Sequence, residues 1–222
     1  MRKKPKSFLG KAWDFIWHDN SIWSWIVNVI LAFVLIKFLI YPGLGFAFGT
    51  SHPVVAVVSS SMEHEGMDYD EFWAETGKWY EENMGITKEE FRKYPFSSGF
   101  SKGDIMVLVG VSPDKIKKGD ILVFWNQENN PNAYPIIHRV TGFVETEKNG
   151  FFYQTKGDNP ITNKEPIDFC NSTGCIDEKN IHENQAIGKA IFRIPFIGNL
   201  KIWFVDFLHM VGVGTTVDGV LN

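Results

Sequence analysis

The sequence predicts a mainly β fold: an antiparallel β domain behind one N-terminal transmembrane helix, with a helical hairpin inserted into it. Three observations carry this. An apolar run from Ile22 to Tyr41 has the length of a bilayer core. Six short runs rich in Val, Ile and Phe follow, bounded by Gly, Pro and Asn. Between the first and second of those runs, residues 63–100 switch to a charged texture with helical spacing.

The N-terminal elements come first. Residues 1–21 form a basic arm, with Arg2, Lys3, Lys4, Lys6 and Lys11 set against Asp14 and Asp19. Residues 22–41 form the transmembrane helix; twenty helical residues rise about 30 Å, enough to span the hydrocarbon. Trp23, Trp25 and Tyr41 stand where interfacial aromatics belong. Asn28 and Lys37 interrupt the run, and Lys37 is close enough to the outer end to reach the headgroups. A basic arm stays in the cytoplasm, which puts the rest of the chain on the extracytoplasmic side of the cell membrane, or of the endoplasmic reticulum in a eukaryote. The competing reading is a cleaved signal peptide with Ala47-Phe48-Gly49 as the processing site. The long charged region and the length of the apolar run favour an anchor. Pro42, Gly43, Gly45 and Gly49 then read as a short flexible exit.

A β domain is expected over residues 50–198. Its strands are placed at Val54–Val58, Asp104–Val111, Asp120–Trp125, Pro135–Gly142, Phe151–Lys156 and Ala186–Ile194. No βαβ alternation appears, so the sheet should be antiparallel. Within 63–100, ten acidic residues lie between Glu63 and Tyr94. Phe72, Thr76, Trp79, Tyr80 and Asn83 recur at helical spacing, and Thr87-Lys88-Glu89-Glu90 has the form of a capping box. The insertion reads either as surface decoration or as a lid beside the preceding serines. Residues 199–222 are apolar apart from a few charges and suit a helix lying in the membrane interface, or packed on the domain, better than a second span. Cys170 and Cys175 are close enough in sequence for a short-loop disulfide on an exported face. They lack the neighbours a metal site needs. Asn171-Ser172-Thr173 is a glycosylation sequon. The net charge of −4 gives no sign of nucleic-acid binding.

Three segments carry residues fit for chemistry: Ser59-Ser60-Ser61-Met62, Pro135-Ile136-Ile137-His138-Arg139-Val140 and Thr155-Lys156-Gly157-Asp158-Asn159. A serine needs a base within hydrogen-bond reach, and histidine is the usual one. An acid must then hold the imidazole tautomer, and N–H or O–H donors must meet the oxyanion. Alternation along the strand puts His138 and Ile136 on one face and Ile137 and Arg139 on the other. Position alone does not say which face meets Ser61. Taken alone, His138 reads as a core histidine and Gly157-Asp158-Asn159-Pro160 as an ordinary turn.

These segments in this order, with Gly119-Asp120-Ile121-Leu122-Val123-Phe124 among them, resemble signal peptidase I. The likeness is to the archaeal and endoplasmic-reticulum branch, which uses histidine where the bacterial branch uses lysine. Arg193-Ile194-Pro195-Phe196-Ile197-Gly198 is similar to that family's closing segment. The resemblance covers roughly 54–61 and 103–198. It implies Ser61 as nucleophile, His138 as general base and Ser59 as a helper in the oxyanion hole with Ser61. Family members carry the Gly-Asp-Asn aspartate and a second aspartate soon after it, the second often assigned to the triad. Asp158 matches the first. The second is displaced here, with Lys164 near its place and Asp168 the next aspartate, so Asp158 and Asp168 both stand as catalytic candidates. His64 is a rival base by proximity to Ser61, and Lys156 a weaker one.

The expected activity is that of a membrane-anchored serine endopeptidase removing signal peptides from exported preproteins. No metal or organic cofactor is implied. The implied partners are signal peptides, the lipid bilayer and the protein translocation machinery. The rival reading is a non-catalytic, membrane-tethered β module that binds translocated chains or a partner protein.

Overall fold

The computed structural model describes residues 7–128, 130, 133–146, 150–171 and 174–195, the side chains of 170, 171, 174 and 175 excepted. The expectations for residues 199–222, for the sequon and for a cysteine bridge lie outside the described residues and side chains. The chain divides into two compact units between Ala47 and Phe48.

In the first unit, α1 (Phe8–His18) occupies much of the stretch expected as a basic arm. Ser7 caps it, its hydroxyl accepting from the Gly10 N–H at 3.1 Å. Ser21 caps α2 (Ile22–Leu35) in the same way, accepting from Ser24 N–H. The helix does not stop at Tyr41. It passes through a π-helical segment, Ile36–Ile40, into α3 (Tyr41–Phe48). The whole stretch Ile22–Phe48 is long and apolar enough to cross a membrane. Pro42 is tolerated because it lies in the first turn of α3, directly after the π segment has loosened the ladder. In a bilayer, breaking the helix at the glycines would leave backbone groups without partners.

The second unit is built on a seven-stranded antiparallel sheet. Its strands are β1 (Val54–Ala56), β2 (Ile105–Val109), β3 (Ile121–Trp125), β4 (Pro135–Thr146), β5 (Gly150–Lys156), β8 (Ile181–His182) and β9 (Ala186–Ile194). Their order is β1-β2-β9-β3-β4-β5-β8. A separate hairpin pairs β6 (Asp168–Asn171) with β7 (Gly174–Asp177). Cys170 and Cys175 are directly opposed in its backbone register. Of the nine strands among the described residues, the sequence showed six and not β6, β7 or β8, which are short and carry little β-branched character.

Opposed residues on paired strands share a face. His138 lies opposite Leu122, and Arg139 opposite Ile121 and Lys156. One face is packed with Met62, Phe100, Met106, Leu108, Ile121 and Val123. The other carries Ile116, Leu122, Phe124, Val140, Tyr153 and Ile181. The sheet is thus covered on both sides, which explains its continuous apolar runs.

The insertion is two helices, α4 (Tyr69–Met84) and α5 (Lys88–Arg92). Asp68 and Glu71 form a capping box at the start of α4, and Gly85, in the left-handed region at φ 63°, closes it. Thr87 caps α5. Its own core is mostly aromatic: Phe72, Trp73, Tyr80 and Phe91 are buried with Ile86. It is joined to the sheet rather than laid over it. Lys118 Nζ donates to Met84 O at 3.0 Å, and the Arg139 guanidinium donates to Pro95 O and Phe96 O at 2.8 and 2.9 Å.

Candidate active site

The serine segment leaves β1 and is pinned on both sides. Val57 exchanges backbone bonds with Asp104 and Gly103 at 2.9 Å each, and the Met62 side chain is wholly buried. From the other side, Asn159 N–H donates to Ser61 O and Asn159 Nδ2 to Ser60 O, both at 2.9 Å. Gly157 permits this approach, because a Cβ there would stand 2.7 Å from Ser61 O and 2.6 Å from Asn163. The Gly-Asp-Asn turn is therefore a clamp on the serine loop. Ser59 Oγ and Ser61 Oγ are 3.1 Å apart.

Ser59, Ser61 and His138 line one groove of about 770 Å³, whose other walls include Ile137, Ile167 and Ile176. His138 is buried on β4. Its Nδ1 meets the carboxylate of Glu178. Glu178 is fully buried and held from every side. Thr155 Oγ1 donates to Oε1 at 2.8 Å and Ile167 N–H to Oε2 at 2.6 Å. Its own N–H donates to Ile167 O at 2.9 Å, and its carbonyl accepts from Thr155 N–H at 2.8 Å. A carboxylate only accepts, so Nδ1 carries the proton and Nε2 is left as the acceptor. That is the tautomer a general base needs.

Asp158 is also fully buried, but its carboxylate goes elsewhere. Arg139 binds it through Nε at 3.0 and 3.1 Å and through Nη2 at 2.5 Å. Tyr80 of α4 donates to Oδ1 at 3.0 Å, and His64 Nε2 stands 3.9 Å from Oδ2. Burial pushes the Asp158 carboxyl up, but the Arg139 guanidinium and the His64 ring outweigh it and hold it well below the usual carboxylate range. Burial and the Asp158 charge together push the Tyr80 phenol well above its ordinary value. His64 stacks on Phe72 with ring centres 3.6 Å apart, so its ring belongs to the insertion's core. Lys156 is fully buried, donates to Gly157 O at 2.8 Å and lies against the rings of Trp79 and Tyr80. Burial lowers its pKa to about 8, against the opposing pull of Asp158 and Glu178.

Asp168 is exposed on β6, with its carboxylate 3.7 Å from Lys179 Nζ. Of the residues expected at the site, Ser59, Ser61 and His138 line the same groove. The carboxylates of Asp158 and Asp168 are directed to Arg139 and Lys179, and the acid on His138 is Glu178, which sequence reasoning missed. One signal for it existed. Reading Phe169-Cys170 and Cys175-Ile176 as paired strands places Glu178 opposite Ile167, at the base of the hairpin.

No family model matches the chain. Several known proteins do. The signal peptidase complex catalytic subunit SEC11 of Plasmodium falciparum is 26% identical over 192 residues, covering 83% of this chain and 75% of the relative. SEC11 of Zygosaccharomyces rouxii is 25% identical over 180 residues, covering 79% and 80%. SEC11C of Homo sapiens is 23% identical over 169 residues, covering 76% and 66%. Over about four fifths of its length the chain is thus similar to proteins named as catalytic subunits of the signal peptidase complex.

Proposed function

We propose that the protein is a membrane-anchored serine endopeptidase that cleaves signal peptides from exported preproteins. The observation that carries this is the shared groove of Ser61 and His138, with a buried carboxylate on the far nitrogen of the imidazole. Ser61 Oγ attacks the scissile carbonyl carbon while His138 Nε2 takes its proton. Glu178 holds the ring and balances the imidazolium that forms. The Ser61 N–H and the Ser59 hydroxyl face the developing oxyanion; Ser59 Oγ, at 3.1 Å from Ser61 Oγ, is near enough to turn its proton there. His138 then gives the proton to the leaving amine. Water repeats the sequence in reverse and releases the acyl group from Ser61.

The apolar walls suit a substrate held extended with small side chains turned inward. Asp158 braces the site from behind and does not touch the reacting atoms. The span Ile22–Phe48 anchors the chain, with residues 1–21 cytoplasmic and the β domain outside. The SEC11 relatives are named as subunits of a complex, which supports a further protein partner here, with the translocation machinery as its setting.

Purified protein in proteoliposomes, given a preprotein, tests this directly. The wild type should cut at the signal-peptide junction, and Ser61→Ala should cut at no more than background. Ser61→Ala cutting at the wild-type rate would remove Ser61 from the mechanism. Retention of uncut preprotein by the wild type would favour the non-catalytic binding module.

A further inference from the structure

The span accounts for α2 and α3 but leaves α1 unexplained. At 100° per residue, Phe8, Leu9, Ala12, Trp13, Phe15, Ile16 and Trp17 fall within an arc of roughly 200°. Lys11, Asp14 and His18 take the remainder. Phe8, Leu9, Trp13 and Trp17 are each more than half exposed. Such an apolar face is too large to leave in water beside a membrane span.

The end of α1 supplies a second, independent observation. The last carbonyls of a helix have no partner within it. In α1, Phe15 O accepts from Ser24 Oγ at 2.6 Å and Ile16 O from Asn28 Nδ2 at 2.9 Å. Both donors belong to α2, where a serine and an asparagine are otherwise hard to explain. Asn28 stands six residues into α2, a rise of about 9 Å. Carbonyls need protein donors of this kind where water is scarce. The end of α1 is thus fastened beside the first two turns of the span.

The geometry points to α1 as an interfacial helix, lying in the headgroup region of the leaflet where α2 begins, its apolar arc toward the acyl chains. The occupant of that face is lipid, and anionic lipid in particular. Lys11 stands on the opposite arc, and Arg2, Lys3, Lys4 and Lys6 directly precede the helix, charges that anionic headgroups complement. Trp13 and Trp17, with ring centres 5.6 Å apart, supply the amphipathic rings that settle at this depth. Ser24 and Asn28 act as positioning residues that fix α1 to the span.

Full-length protein with Cys170→Ser and Cys175→Ser, carrying either Trp17→Cys or Lys11→Cys, tests this. The new cysteine is labelled with a polarity-sensitive dye, and the protein is placed alone in vesicles of phosphatidylcholine and phosphatidylglycerol. The label at 17 should emit to the blue and be quenched by aqueous iodide about fivefold less than the label at 11. Adding Ser24→Ala and Asn28→Ala should raise iodide quenching at 17. Equal quenching at 11 and 17 would overturn the proposal. Shielding at 17 that appears only in native membranes would also overturn it, in favour of a protein partner. Unchanged quenching in the Ser24 and Asn28 variant would remove the tether. None of these outcomes depends on peptidase activity.

Discussion

Two neighbouring residues on β4, His138 and Arg139, point to opposite faces of the sheet, and each meets a buried carboxylate. On His138's face the acid is Glu178, held by Thr155 and Ile167, beside the groove that Ser61 lines. On Arg139's face the acid is Asp158, held by the guanidinium and by Tyr80 from the insertion. The two corners look alike in composition and differ in what their cation can do. A guanidinium keeps its charge throughout, so the Asp158 corner is a brace. An imidazole whose Nδ1–H is held by a carboxylate leaves Nε2 free to accept a proton, so the Glu178 corner offers a base where the other offers none. Strand alternation puts the two corners on opposite faces of the sheet.

Substitutions that remove one acid at a time sharpen the contrast. Glu178→Gln should have the largest effect on rate, lowering kcat by about 10²–10⁴-fold by allowing the wrong tautomer. Unfolding in denaturant should show that the variant remains folded.

Asp158→Asn should act on stability first. It leaves Arg139 buried without its counter-charge, which costs about 3–5 kcal/mol. The wild-type contribution is present above the ordinary carboxylate range and is lost as pH falls through the lowered folded value. Unfolding free energies at neutral and acid pH should therefore converge between variant and wild type as the pH drops. A large loss of kcat in fully folded Asp158→Asn would break the distinction between the corners.

Lys156→Met tests the cation between them. The folded lysine loses its proton near pH 8, while the unfolded lysine keeps its own to the ordinary lysine range. Between those values the unfolded chain binds the extra proton, so wild-type stability should rise with pH, by on the order of 3 kcal/mol in all. The variant should lack that rise in chemical denaturation from pH 7 to 10.

Asp168→Asn should do least. Its partner Lys179 is exposed, and such pairs are worth about 0–1 kcal/mol. A fall in kcat comparable to that of Glu178→Gln would return Asp168 to the site.

The elements with strong periodicity were legible: the apolar span, the long strands β2, β3, β4, β5 and β9, and the helical hairpin. The segments of Ser59, Ser61 and His138 stood out in the sequence, and the three residues line one groove. The orienting acid was not, for a physical reason. Glu178 reaches His138 across 40 positions of sequence through a short hairpin whose strands carry little β signal. Asp158 drew attention through its turn motif, yet Gly157 and Asn159 serve to hold the serine loop, and the carboxylate between them binds Arg139 instead of His138. His64, near Ser61 in sequence, was turned aside by stacking on Phe72. The insertion, readable as decoration, supplies Tyr80 to Asp158 and backbone carbonyls to Arg139.

The central claim is that Glu178 works through His138, and a double-mutant cycle on turnover tests it most directly. In the wild-type background Glu178→Gln should cost about 10²-fold or more in kcat, while in a His138→Ala background it should cost less than about threefold. A full and equal loss in both backgrounds would contradict the account, leaving Glu178 a support of the fold.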